Sequence, residues 1–181
     1  MGKVPKFVFE CQHCGKCCER TPEVYLNDIE KWRNAGALYQ FIPNLEIIED
    51  YGSIQIQLKN KFKESNTCPM YDSKEKKCTA YENRPITCET YPLGYNGENY
   101  ILLGRECAGL GKGKMTKESL KNMRDTARKY YEDKKQTELL LPVLQGLFME
   151  HITKETMKVY ENLTDEQKEE LHKIWSKQKE S

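Results

Sequence analysis

The segment CQHCGKCC, residues 11–18, places four cysteines in eight positions, the last two adjacent. A chain that gathers thiols this densely must cross-link them, coordinate something with them, or bury them as small apolar side chains. Burial accounts for a scattered cysteine, not for C-x2-C-x2-C-C. Disulfides fit poorly. Neighbouring side chains on extended backbone diverge, so a Cys17–Cys18 bond would be strained. A chain of 181 residues can also hold itself together with an apolar core and needs no staples.

The predicted compartment argues the same way. The N-terminus, MGKVPKFVFECQ, has no apolar run of signal-peptide length. Lys6 stands where a myristoylation signal requires Ser or Thr. The longest aliphatic run, LLLPVL (139–144), is far too short to span a bilayer. These features predict a cytoplasmic protein with no membrane partner. In the cytoplasm thiols stay reduced, and a dense cysteine pattern points to metal. With 29 basic and 28 acidic side chains, nothing draws the chain as a whole toward nucleic acid. The expected partner is a protein or a small molecule.

All eight cysteines, Cys11, Cys14, Cys17, Cys18, Cys68, Cys78, Cys88 and Cys107, fall in the first 107 residues. Sulfurs at C-x2-C-x2-C spacing can converge on one centre while the backbone loops around it, as in bacterial ferredoxins, where a Cys-Pro completes the signature. Cys11, Cys14 and Cys17 supply the first three; the Cys-Pro is Cys68-Pro69, far along the chain. Zinc also takes four thiolates, usually from two C-x2–4-C pairs, but here the later cysteines are isolated. If Cys17 faces one centre, Cys18 faces away, either as a spectator or toward a second centre. Eight thiols divide into two sets of four. The expectation is one or two centres closed between the N-terminal loop and the 68–107 segment, with metal binding contributing to folding.

The remaining pattern predicts an α+β fold: a cysteine-rich, metal-centred module with short strands (1–113), then a helical part packed on it (114–181). A helix is predicted from Asn27, capped by Asn27 with Glu30 and stopped at Gly36. LEIIED-YG-SIQIQLK reads as a hairpin, its second arm alternating apolar and polar. A second hairpin is predicted around Asn96-Gly97, and YDSKEKK (71–77) is a charged turn returning Cys78 toward Cys68. Thr116 caps a helix to about Gln136 with Leu120, Met123, Ala127, Tyr130 and Tyr131 on one face. A second helix is predicted to begin with Pro142 at its first position, with Leu144, Phe148 and Ile152 facing the core. Thr164 and Gln167 form a capping box for a third, with Leu171, Ile174 and Trp175 as its apolar face.

The residues F-x-C-x-x-C-G-x-C-C (9–18), CP (68–69), C-x-x-Y-x-x-R-P-x-x-C-x-x-Y-P (78–92) and C-x-G-x-G-x-G (107–113) together resemble the CxxCxxCC cysteine-cluster family, a zinc- or iron-chelating domain. Flagellin lysine N-methylases carry a similar cysteine domain, and that resemblance implies an iron–sulfur cluster rather than zinc. Beside it, the residues read physically. Arg84 and Arg105 are cations next to an anionic thiolate site, fit to stabilise it or to hold a carboxylate or phosphate. Pro85 and Pro92 fix turns around Cys88, and Tyr81 and Tyr91 pack around the centre. GLGKGKMT (109–116) meets neither the P-loop nor the dinucleotide fingerprint and reads as a connection. His13, inside the first cysteine pair, reads as a spare ligand or, as favoured here, as a side chain pointing outward that changes the local charge. Three functions fit: an iron–sulfur protein of the [4Fe–4S] type in redox or protein-modification chemistry; a structural zinc module for protein interaction; or an enzyme related to the methylases.

Overall fold

The computed structural model describes residues 7–50, 52–60 and 67–178. Lys6, Tyr51 of the predicted first hairpin turn and the side chain of Trp175 lie outside this description. The chain divides into two compact units, one through Leu139 and one from Leu140. The architecture is α+β, with three small antiparallel sheets among the described residues, and helices.

The first sheet joins β1 (Glu23–Val24), β2 (Leu45–Asp50) and β3 (Ser53–Leu58) in the order β1-β3-β2. The predicted hairpin is β2–β3, in register from Leu45 opposite Leu58 to Asp50 opposite Ser53. The alternation in β3 works as strand geometry requires: Ile56 and Leu58 are buried while Gln55 and Gln57 lie on the other face. Helix α1 (Leu26–Asn34) buries Trp32 completely against Phe41 of the one-turn α2 (Leu38–Phe41). The two rings stack with centroids 3.8 Å apart, and the Trp32 indole N–H donates to the Asn83 carbonyl at 2.5 Å.

α1 begins before the predicted Asn27. The acid three residues into the helix does the capping: Asp28 accepts the Tyr25 N–H at 3.1 Å and, from outside the helix, the Ile86 N–H at 2.8 Å. Freed from capping, Asn27 donates to Asp133 at 2.5 Å. Gly36, at φ +67, follows the last turn as predicted.

Two hairpins and one helical turn carry the later cysteines. β4 (Tyr71–Asp72) pairs with β5 (Lys77–Cys78), setting Tyr71 opposite Cys78. The charged turn closes because Asp72 accepts the N–H groups of Lys74 and Glu75. α3 (Ile86–Glu89) holds Cys88. β6 (Leu93–Tyr95) and β7 (Tyr100–Leu102) form the predicted second hairpin, its turn held by Asn96 accepting from Glu98 and Asn99.

α4 (Lys117–Glu161) is one helix of 45 residues. Thr116 caps it through the Ser119 N–H. The predicted break before Pro142 does not occur. A proline inside a helix removes one hydrogen bond and crowds the preceding turn, yet good helix formers on both sides carry the helix through it. In the first unit Ala127 of α4 is fully buried. Tyr130 packs against Tyr25 and Tyr131 edge-on against Tyr95. Thr137 accepts the Leu26 N–H at 3.0 Å.

The second unit holds the rest of α4 and α5 (Asp165–Gln178). Both halves of the predicted capping box form: Thr164 N–H to Gln167 Oε1 at 3.0 Å, and Gln167 N–H to Thr164 Oγ1 at 3.3 Å. Leu144, Phe148 and Ile152, predicted to face the core, are exposed. No helix among the described residues is long and apolar enough to cross a membrane.

Candidate metal centre

The N-terminal cysteines sit on a loop that secondary structure barely holds. Its one regular piece is a 3-10 turn at Lys16–Cys18, entered through Gly15 at φ +78. Gly15 is required twice over. The left-handed backbone disfavours other residues, and a Cβ there would collide with the Tyr71 ring. Main-chain bonds anchor both ends of the loop. Cys68 N–H donates to Cys18 O at 2.8 Å, joining segments fifty residues apart. Glu10 N–H donates to Gly109 O at 3.1 Å and Gly111 N–H to Val8 O at 2.8 Å. The glycine-rich stretch after Cys107 is therefore a strap along the front of the loop. Gly109 is close enough to the Glu10 backbone that no Cβ would fit.

All eight cysteines line one cavity of about 220 Å³. None is in a disulfide; Cys68 is buried, Cys11 and Cys14 are exposed, and the rest lie between. Among the described residues no three His, Cys, Asp or Glu side chains close up tightly enough to hold a metal ion as they stand. The thiols surround a space rather than meet at a point. Two of them feel nearby main-chain amides: that of Met70 pulls the Cys68 thiol down against its burial, and that of Ala80 does the same at Cys78. Both are amides two residues beyond their cysteine, and such donors favour the thiolate.

Electrostatics divide the thiols. Cys17 is drawn down to about 6, first by the Cys18 S–H donating to its sulfur, with help from the cations Arg20 and Arg84. Cys18, the donor in that bond, is pushed far up. Burial raises Cys68 to about 11 and Cys88 to about 12, and raises Cys78 as well. Cys17 is thus the member of this set that ionises most readily, while Cys18, Cys68, Cys78 and Cys88 hold their protons more tightly. Any cation that enters must displace protons, so binding strengthens as pH rises.

Of the two predicted arginines, Arg84 lines the cavity. Its guanidinium lies 3.9 Å from the Tyr81 ring centroid, and Nη1 donates to Tyr81 O at 2.6 Å. Arg105 is exposed and is not among the lining residues. Tyr81, Tyr91 and His13 do line it; His13 is exposed, its ring 6.3 Å from that of Tyr81. Among the described residues the non-glycine positions with left-handed backbone are His13 (φ 49) and Lys76 (φ 50). Both border this cavity, where strained backbone tends to mark function. Sequence reasoning missed Arg20, which bonds both the Cys17 and Thr87 carbonyls. Its position two residues after the Cys17-Cys18 pair was the available signal.

The model of a domain family described as a "putative zinc- or iron-chelating domain" matches residues 10–108. No curated protein and no solved structure matches the chain.

Proposed function

Because the chain belongs to the CxxCxxCC family, we propose that residues 1–113 form a metal-centred module whose thiols hold an iron–sulfur centre of the [4Fe–4S] type, serving redox or protein-modification chemistry. Residues 114–181 are then its helical part. The observation that carries this reading is the single cavity bordered by all eight cysteines. A lone zinc ion draws its sulfurs to about 2.3 Å from one point. Thiols spread around about 220 Å³ suit a group of several metal atoms. Eight ligands are enough for one four-thiolate centre or two.

When bound, such a centre supplies one-electron chemistry. The chain's own residues do the rest. The cysteines bind it, and the amides of Met70 and Ala80 favour thiolate over thiol. Arg84 brings a cation to the cavity wall, and Tyr81 and Tyr91 limit water around the sulfurs. A reducing compartment, the cytoplasm, keeps the thiols available.

The test is purification without oxygen, followed by an absorption spectrum and assays of iron, sulfide and zinc. Visible thiolate-to-iron absorption with about four irons and as many sulfides per chain fits one [4Fe–4S] centre. About twice that implicates every cysteine. Zinc without iron or sulfide overturns the redox reading and leaves a structural clasp.

A further inference from the structure

We propose that Arg20 is the fixed countercharge of the thiol cage, a positioning residue that stabilises the bound thiolates from beside the segments carrying Cys17 and Cys88, outside the residues that line the cavity itself. The proposal rests on reading the cavity as a metal site. Arg20 is half-buried, and its guanidinium spans two separate parts of the cage. Nε donates to Cys17 O at 3.1 Å, and Nη2 donates to Thr87 O at 3.0 Å, 67 residues along the chain and next to Cys88. The guanidinium carbon lies 4.9 Å from the Tyr91 ring centroid. Two carbonyls and an aromatic face thus orient it, and none of the three is an anion.

Among the described residues no carboxylate stands within ion-pair distance of Arg20. A half-buried guanidinium with no carboxylate partner is better stabilised where anionic ligands gather beside it. Its two carbonyl partners belong to Cys17 and to the neighbour of Cys88, so its charge stands beside two cysteine-bearing segments. Four thiolates around a divalent ion leave excess negative charge in a partly dry space. The guanidinium charge of Arg20 offsets that excess. Its planar fork also holds the Cys17 loop to the Cys88 turn before any metal arrives. Arg84, stacked on Tyr81 and bonded to the Tyr81 carbonyl, lacks this bridge between cysteine-bearing segments.

The test loads the full-length, reduced protein with Co(II) without oxygen. Chelator competition gives the affinity, and the cobalt–thiolate absorption reports the thiolates bound. Arg20→Gln keeps an amide donor for the carbonyls but loses the charge; Arg20→Lys keeps the charge but loses the fork. Arg20→Gln is expected to lose about 10- to 100-fold in Co(II) affinity, and Arg20→Lys less than about tenfold. A purely structural role gives the opposite ranking or equal losses, and either result overturns the proposal, as does an unchanged Arg20→Gln. If Arg20→Gln takes up no metal while Arg20→Lys does, charge is still the deciding property; if neither loads, it is not. A wild-type protein that takes up no Co(II) overturns this proposal, while the iron and sulfide assays decide the metal-site reading separately.

Discussion

Among single residues Asp28 gives the clearest consequence. It is a buried carboxylate that serves the N–H groups of Tyr25 and Ile86, with Lys31 at 3.8 Å. Burial raises it to about 6, against the pull of the two amides and Lys31. A raised acid is favoured in its neutral form by the fold. Its contribution to stability is therefore complete below the ordinary carboxylate value of about 4 and is lost as pH rises through about 6. The span amounts to about 3 kcal/mol. Asp28→Asn removes this titration and points an amide donor at a backbone N–H, costing about 1–3 kcal/mol. Urea unfolding of both proteins between these pH values should show the gap narrowing as pH rises; a constant gap would contradict the assignment. Gly15→Ala should cost about 1–3 kcal/mol, read from the same unfolding curves, because of its left-handed backbone and the Tyr71 ring. At this scale spacing exposed the thiols, and the pattern shared with the resembled family exposed Arg84. Arg20 stayed hidden because its partner carbonyl is 67 residues away, and a lone arginine carries no periodic signal.

Among elements the hairpins were legible because their turns are written locally. Asn96 and Asp72 each accept from N–H groups two and three residues on, and β3 alternates. The start of α1 was not legible: the identity of its cap depends on Ile86 reaching Asp28 from a distant segment. Pro142 was misread for a related reason. Its fixed φ suits the first turn of a helix and the interior alike, and only continuity across it decides. The two readings predict different outcomes for Pro142→Ala. Inside α4 the proline costs up to about 3 kcal/mol relative to alanine, so the variant should melt higher with increased helical circular dichroism. A proline at a helix start would yield no such gain. Thr164→Ala should remove the capping box that forms at α5 and cost about 1 kcal/mol, measured as a lowered melting temperature.

Across the whole molecule the cysteines and the regular structure are complementary. β4, β5 and α3 supply only two to four residues each around Cys78 and Cys88, and the loop carrying Cys11 to Cys18 has one 3-10 turn. Most of their order rests on a few main-chain bonds, such as Cys68 to Cys18 and Glu10 to Gly109. A metal centre would cross-link these segments, which places much of their stability in the metal. The unit from Leu140 contains no cysteine and has its own cap at Thr164 and the Tyr160–His172 contact. Stripping the metal with a chelator under reducing conditions should therefore abolish hydrogen-exchange protection around residues 9–18, 68–90 and 104–111. Protection in α5 should be unchanged. The stacked Trp32–Phe41 core and the β2–β3 hairpin bury their own apolar surface and should keep part of theirs. Equal loss in α5 would mean that the two units unfold as one. Full retention around the cysteines would mean that the loop anchors alone suffice, and that the centre is an occupant of the fold rather than a part of its construction.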